Sequence, residues 1–379
     1  MTYVSLPFPG DAPTDRSQAE ASTFRIRRDL SPMYGVTTVE QKMTGFLCKA
    51  KRGEQDVEVS VRVLGTGGTI AAFLEDGSLR LLSIGELSQG LANGLPSVDA
   101  TDLERVASSA LQPKEMLGIA REVRKSLLEG SDGVVVTHGT DTLEETAYLT
   151  DLLLGEDSYL GGVVFTGAMR FASDPNPDGP GNLADAIRLA ACSAARGLGV
   201  LVSFAGEIHE ARWVTKANTS SLRPFTSPSG AIGHVGEEET EIRIAPTPRW
   251  PSGQDAETRV ALVKAYPGMS GAGVAALVSE GVRGLVIEGF GVMSLPESLH
   301  PAIESAIKQG VAVVVGSRSL TSGGLDQGPS GHRHLHDLGA VGSYGLSTSK
   351  AWVALMVGLA RTNGSAEELR HWFSTITRS

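Results

Sequence analysis

Short apolar strands alternating with segments of helical period constrain this chain more than any other feature. Val57, Val59, Val61 and Val63 alternate on one face and run into a glycine-rich turn, Leu64-Gly65-Thr66-Gly67-Gly68-Thr69-Ile70. Met116, Ala120, Val123 and Leu127 have helical spacing, and the apolar run Val134–Thr137 follows. Thr142 and Glu145 stand at capping-box spacing before an apolar run that reaches Leu154. Val163–Thr166 and Val200–Ser203 read as strands, with a helix predicted over Leu183–Ala195 between them. Strands apolar on both faces need helices on both sides, which predicts an α/β domain with a mostly parallel sheet over residues 57–235. Residues 236–257 are charged and proline-containing, and read as a linker. A second alternating set then predicts a smaller α/β domain over residues 258–379. Its strands are Arg259–Lys264, Gly284–Gly289 and Val311–Gly316. Its helices are Gly271–Glu280, Pro296–Gln309, Ser347–Ala360 and Ser365–Thr377, the last with Ser365 and Glu368 as a capping box. Residues 1–56 read as an N-terminal extension. An arm rich in Pro, Asp, Ser and Thr covers 1–22, and short mixed segments follow that add a strand or a small module.

Composition removes other classes. At 379 residues, 41% hydrophobic and 20% charged, the chain can bury the cores of about two to three domains. Lys and Arg number 33 against 43 Asp and Glu, and the resulting −10 argues against a general nucleic-acid binder. No apolar run approaches the ~18 residues of a membrane helix, so no membrane role is expected. No secretory signal is visible, and two cysteines, Cys48 and Cys192, are too few for a disulfide scaffold. A cytoplasmic protein is the expectation.

The chemistry sits in two turns, Gly65–Thr69 and Thr137-His138-Gly139-Thr140-Asp141-Thr142. Each leaves the carboxyl end of an apolar strand, the edge where open parallel sheets bind ligands. A dinucleotide fingerprint fails at Ile70, and a phosphate loop lacks its lysine. Two readings stay open for the first turn. It is a capped strand–helix turn, or it presents a threonine hydroxyl beside N–H donors as a nucleophile with an oxyanion hole. In the second, Asp141 stabilises the first turn of its helix, or holds an ammonium group and assists proton transfer. A threonine needs a base, and Lys216 is a candidate, although a single lysine is more often a solvated surface residue. Sequence spacing alone does not bring Lys216 to Thr140.

Gly65–Ala71 (GTGGTIA) with Thr137–Leu154 (THGTDTLEETAYLTDLLL) resembles the bacterial-type L-asparaginases of the asparaginase/glutaminase family. Val164–Arg170, Asp178–Leu183 and Val214–Thr219 extend the resemblance, which runs over about residues 57–379. It implies two α/β domains, the larger with a flavodoxin-like sheet, and hydrolysis of a side-chain amide without metal or organic cofactor. By resemblance Thr69 is the nucleophile, through an acyl-enzyme. Thr140, Asp141 and Lys216 match the second constellation, in which Lys216 supports Thr140 and Asp141 grips the substrate α-amino group. Whether Thr69 or Thr140 attacks first stays open. Gly68 and Gly139 fall in the substrate-binding motifs. Ser108 and Ser109 both lie where the family places a serine for the substrate α-carboxylate. The resemblance also implies a homodimer or homotetramer, the site completed by a neighbouring subunit.

Three departures stand out. The family's lid after the nucleophile carries a tyrosine, whereas Ala71–Ser78 is short and the first Tyr after Ile70 is Tyr148. Val292 falls where the family has an asparagine, leaving Phe290 and Met293 to line an apolar pocket. The extension of about 56 residues is the third; the amidotransferase component that supports tRNA-dependent glutamine formation also carries an N-terminal module before such a domain. His332, His334 and His336 share one face if extended and would then suit a metal, but a polar surface loop is the preferred reading. His138 reads as a structural hydrogen-bonder, Cys192 as a small core residue and the four tryptophans as packing. The functional expectation is an asparaginase-type amidohydrolase, L-asparagine being the default substrate. A bulkier amide, a non-catalytic binding subunit and an ammonia-supplying partner subunit are the alternatives.

Overall fold

The structure is a computed structural model that describes residues 46–49, 59–89, 91, 95–237, 239–244, 247, 249–319 and 330–378. The arm read over 1–22, and all of the mixed segments except 46–49, lie outside these residues. Strands and helices are labelled in chain order. The first part holds β1 (Phe46–Lys49), β2 (Ser60–Gly67), β3 (Ala72–Glu75), β4 (Ser78–Leu81), α1 (Ile84–Ser88), β5 (Ser97–Val106), α2 (Pro113–Leu128), β6 (Gly133–Thr137), α3 (Leu143–Leu154) and β7 (Gly162–Thr166). It continues with α4 (Gly179–Ala191), β8 (Val200–Phe204), β9 (Glu207–Glu210), β10 (Thr215–Lys216), β11 (Phe225–Thr226), β12 (Gly233–Val235) and β13 (Glu239–Ile242). The second part holds β14 (Val260–Lys264), α5 (Ala272–Ser279), β15 (Gly284–Gly289), α6 (His300–Lys308), β16 (Ala312–Ser317), α7 (Ser330–Asp337), β17 (Val341–Gly342), α8 (Thr348–Arg361) and α9 (Ala366–Thr377).

The larger sheet runs β1-β13-β12-β9-β8-β7-β6-β2-β5. From β8 to β5 every pairing is parallel, and from β8 to β1 every pairing is antiparallel. The parallel part has the flavodoxin-like order, second-first-third-fourth-fifth, as the resemblance implies. Its direction of winding reverses between β2 and β6. The two threonine turns leave these two strands, so the topology itself brings them side by side. The smaller sheet, β14-β15-β16-β17, is parallel throughout.

Several elements differ from their expected form. Glu239–Ile242, inside the stretch read as a linker, is β13 of the larger sheet. Its Thr240 and Ile242 are buried while Glu239 is exposed, an alternation masked by the surrounding charge. β5 carries no strand signal in the sequence because it is a polar edge strand with no buried residue. The expected helix Leu183–Ala195 starts earlier, at Gly179 with Pro180 in its first turn, and stops at Ala191 before a separate short turn. Thr142 and Glu145 do not form a capping box; the Thr142 hydroxyl instead donates to Ser108 O at 2.9 Å. Residues 330–337 are helical, so their histidines at alternate positions are not stacked on one extended face. Among the described residues no group of three His, Cys, Asp or Glu is arranged to hold a metal. No described helix is long and apolar enough to cross a membrane.

One core cluster joins the two sheets. Tyr148, Leu149 and Leu152 of α3 pack with Leu355 of α8, Trp372 of α9 and Val286 and Val314 of the smaller sheet. α3 is therefore buried almost all round, polar residues Glu144, Thr146, Thr150 and Asp151 included. Cys192 is buried, as expected, and Trp250 and Trp372 pack edge to face. Within this interior the Asp151 carboxylate pairs with the buried Arg249 guanidinium and accepts the Val200 N–H at 2.8 Å. Removing one partner strands the other charge. Asp151→Ala is expected to cost about 3–5 kcal/mol in urea unfolding, and Asp151→Asn, which keeps the acceptor for Val200, clearly less.

Candidate active site

Glycine backbones touching one another hold this site together. Gly67 and Gly68 have φ of +87° and +77°, a region costly for other residues. A Cβ on Gly68 would lie 2.4 Å from the Gly139 Cα, and one on Gly139 would lie 2.6 Å from the Ser108 Oγ. The turns after β2, β6 and β5 are thus stacked, with no room for a side chain at either contact. Thr66 reinforces the stack by donating its hydroxyl to Thr137 O at 2.9 Å. Thr69 follows directly, opening a short 3-10 turn through Ala71 in which Ala71 N–H donates to Gly68 O at 3.1 Å. Its side chain is half-buried at the rim of the sheet.

Thr140 is buried and Asp141 lies on the surface beside it. The Lys216 Nζ donates to Thr140 Oγ1 at 2.8 Å and to Asp141 Oδ1 at 2.7 Å. Only 17% of the Lys216 side chain is exposed, so it is not a solvated surface lysine. It comes from β10, whose two-residue ladder with β11 lies outside both main sheets. Lys216 N–H donates to Glu144 Oε2 at 2.6 Å. Of the two candidate serines, Ser108 is buried against Gly139 and Ser109 is exposed. The fold therefore brings Gly68, Thr69, Ser108, Gly139, Thr140, Asp141 and Lys216 to one edge, with Ser109 on its outer side.

Other singled-out residues do different work. His138 is buried and donates Nδ1–H to Gly139 O at 2.8 Å, which leaves Nε2 unprotonated. Burial pushes its pKa down to about 4, so it is a neutral structural group at pH 7. Asp178 accepts from Met169 N–H and Arg170 N–H, and Asn182 bridges Gly167 O and Ala205 N–H; this motif shapes the loop around the sheet edge. The lid position is occupied by the β3–β4 hairpin, closed by Asp76 and Gly77 with φ of +49° and +76°. Tyr148 is fully buried in α3. Met293 does not line a pocket: it is buried in the core of the smaller sheet, with φ of +63°. Val292 beside it is 58% exposed.

Glu144, Ser349 and Lys350 carry no signal in the sequence. A Glu144-Glu145 pair opening a helix reads as a complement to the helix dipole, and nothing in the sequence shows that both carboxyls are buried. Burial, with the Glu144 carboxylate, pushes Glu145 up to about 7 against the pull of Lys350.

Comparison with known proteins finds the same two parts. The family model described as asparaginase, N-terminal, matches residues 60–248. The glutaminase/asparaginase C-terminal domain matches residues 259–373. L-asparaginase 2 of Bacillus subtilis is 32% identical over 349 residues, covering 88% of this chain and 91% of that protein. A glutamyl-tRNA(Gln) amidotransferase component of Pyrococcus abyssi is 32% identical over 343 residues, covering 83% of this chain and 75% of that protein. The crystal structure of a probable cytoplasmic L-asparaginase from Campylobacter jejuni superposes with a TM-score of 0.74 at 28% identity, covering 83% of this chain and 99% of that one.

The buried carboxyl carries a pH signature. Between its ordinary value of 4.5 and about 7, Glu145 binds more protons in the folded than in the unfolded chain. Its contribution to stability therefore falls as pH rises through that window. His138 acts in the opposite sense, losing stability as pH falls from 6.5 to about 4. Glu145→Gln cancels only the first effect. Relative to the parent, it is expected to gain up to about 3 kcal/mol in urea unfolding at pH 8 and little at pH 4. An equal difference at both pH values would assign the burial cost to something other than ionisation.

Proposed function

The chain belongs to the asparaginase/glutaminase family, an asparaginase-type amidohydrolase, and on that premise we propose that it hydrolyses the side-chain amide of L-asparagine to L-aspartate and ammonia through a threonine nucleophile. The observation that carries the proposal is the Lys216 ammonium seated between Thr140 Oγ1 and Asp141 Oδ1, at 2.8 and 2.7 Å. These groups stand on the turn that contacts the Thr69 turn through Gly68 and Gly139.

In this reading Lys216 loses one ammonium proton to solvent before the attack and acts as the free amine. The Thr69 Oγ then attacks the amide carbon; its proton passes to Thr140 Oγ1, whose own proton passes to Lys216 Nζ. Backbone N–H groups near Gly68 and Gly139 take the developing oxyanion. Collapse expels ammonia, which leaves with the transferred proton, and forms an ester on Thr69. Water then attacks the ester and gives its proton to the Thr140–Lys216 pair; the acyl–Oγ bond breaks, and the pair returns that proton to Thr69 Oγ as the carboxylate product leaves. Asp141, exposed at the rim, anchors the substrate α-amino group. Ser108, buried against Gly139, anchors the α-carboxylate, with exposed Ser109 beside it. None of these steps calls on a metal or an organic cofactor.

We further propose a cytoplasmic homodimer or homotetramer, in which a neighbouring subunit completes the site. The Val292 turn supports this, since it presents an apolar side chain that is 58% exposed in the single chain and open to a neighbour. A monomer at all concentrations in sedimentation would overturn the shared site.

Ammonia release is the test, run on L-Asn, D-Asn, L-Gln and larger amides. Fast release from L-Asn is expected, with Thr69→Ala, Thr140→Ala and Lys216→Met each lowering kcat by at least ~10³-fold, and not additively when combined. An acyl adduct on the peptide containing Thr69 should appear by mass spectrometry. Release only from a larger amide would overturn the substrate, and full activity in Thr69→Ala would overturn the nucleophile.

A further inference from the structure

Glu144 lies where the two parts of the fold meet the candidate site. It is the second residue of α3, and it is buried. A buried carboxylate is costly unless its oxygens are engaged. Here Oε2 accepts the Lys216 N–H at 2.6 Å, and Oε1 accepts the Ser349 hydroxyl at 3.1 Å. The Glu144 main-chain oxygen accepts the buried Lys350 Nζ at 2.5 Å. Both Ser349 and Lys350 stand in the first turn of α8, the helix that packs on the smaller sheet. One residue thus links α8, α3 and the main chain from which Lys216 projects.

We propose that Glu144 is a positioning residue for the reaction. It fixes the Lys216 main chain so that Nζ falls between Thr140 and Asp141, and Ser349 and Lys350 in turn fix Glu144. The proposal rests on the function given above for Lys216. The need for such a brace is physical. β10 has two residues, pairs only with a two-residue β11, and belongs to neither main sheet. A ladder that short does not hold its own geometry. The lysine side chain adds four rotatable bonds, so any drift of its Cα is carried to the ammonium. A hydrogen bond to a charged, buried acceptor is the strong kind and resists such drift. A glutamate serving only the helix dipole would have no reason to turn its carboxylate to a strand 72 residues on.

The α8 contacts add a second consequence. The larger domain supplies every proposed catalytic group, yet the brace on Lys216 ends in the smaller domain of the same chain. Loosening α8 should therefore be felt at Lys216 although α8 supplies no group to the reaction.

Two readouts on the full-length protein test this. The first is kinetic, on the amide that the parent hydrolyses. Glu144→Ala is expected to lower kcat by about 10²-fold with KM changed less than about threefold, because a displacement near 1 Å is enough for that loss. Glu144→Gln keeps an acceptor for Lys216 N–H and presents Ser349 with a donor in place of an acceptor, to which its hydroxyl can turn as acceptor, and should restore most of kcat. Ser349→Ala should fall between them. The second readout needs no substrate: the rate at which acetic anhydride acetylates Lys216, followed by peptide mass spectrometry. Lys216 should be acetylated several-fold faster in Glu144→Ala than in the parent, and at the parent rate in Glu144→Gln. Parent-like kcat and labelling in Glu144→Ala would overturn the proposal, as would equal losses in the Gln and Ala variants. If Glu144→Ala does not fold, Ser349→Ala with unchanged kcat and labelling overturns it. A parent that releases no ammonia from any amide would sink the proposed function, while the labelling rates still decide the positioning.

Discussion

Everything at the site depends on two peptide backbones lying in van der Waals contact. Gly68 and Gly139 meet where no Cβ fits, and Ser108 closes on Gly139 from the third turn. The contact follows from the topology. A parallel sheet whose winding reverses between β2 and β6 leaves a crevice there, because the helices following the two strands depart to opposite faces. Here glycines let the turns close on one another, and the edge they form carries the hydroxyl groups of Thr69, Ser108 and Thr140. That arrangement starts from the absence of two side chains.

Closing the crevice has a second effect, because it aligns α3 beneath the turns and drives it into the interior. α3 carries Glu144 and the Glu145 carboxyl into a region shared with α8, where Glu144 and Glu145 Oε2 are buried. Each polar group there has to find a partner within the protein or lose its charge. Glu144 finds Lys216 and Ser349, Lys350 finds the Glu144 carbonyl, and Glu145 is held toward the neutral form. The proposed positioning of Lys216 and the burial of α3 would be two results of one packing arrangement. The cost of that arrangement appears in the raised pKa of Glu145.

The parts of this arrangement legible in the sequence are those set by local pattern. Apolar runs such as Val134–Thr137 and Val163–Thr166 are strands because a strand buried on both faces leaves no polar residue to interrupt the run. The glycine-rich turns announce themselves by composition, and the resemblance to a family assigns candidate roles to their threonines. What fails to show are long-range consequences. β5 is polar because an edge strand can be, so it carries no apolar signal. β13 hides in charge because only its alternate residues face inward. Thr142 leaves its capping role because its hydroxyl bonds the carbonyl of Ser108, 34 residues away, in place of a helix N–H. Lys216 reaches Thr140 across 76 residues, and local periodicity has no access to a distance of that kind.

The same argument explains why the brace on Lys216 ends in the other domain. A lysine with the proposed role must be held to a fraction of an ångström, and a two-residue ladder outside both main sheets does not do this alone. The stiffest neighbour available is the α3–α8 contact, because it is the core shared by both sheets. Anchoring the Lys216 main chain there through one buried carboxylate transfers the rigidity of that core to a segment with little of its own. It also explains a pattern in the charges. Asp141, the charged group proposed to touch substrate, stands near water, while Glu144 and Lys350, which link the Lys216 main chain to α8, are buried. A buried charge is tolerated where rigidity is needed and avoided where a ligand must exchange, and the division runs through Lys216 itself, main chain inward and ammonium outward.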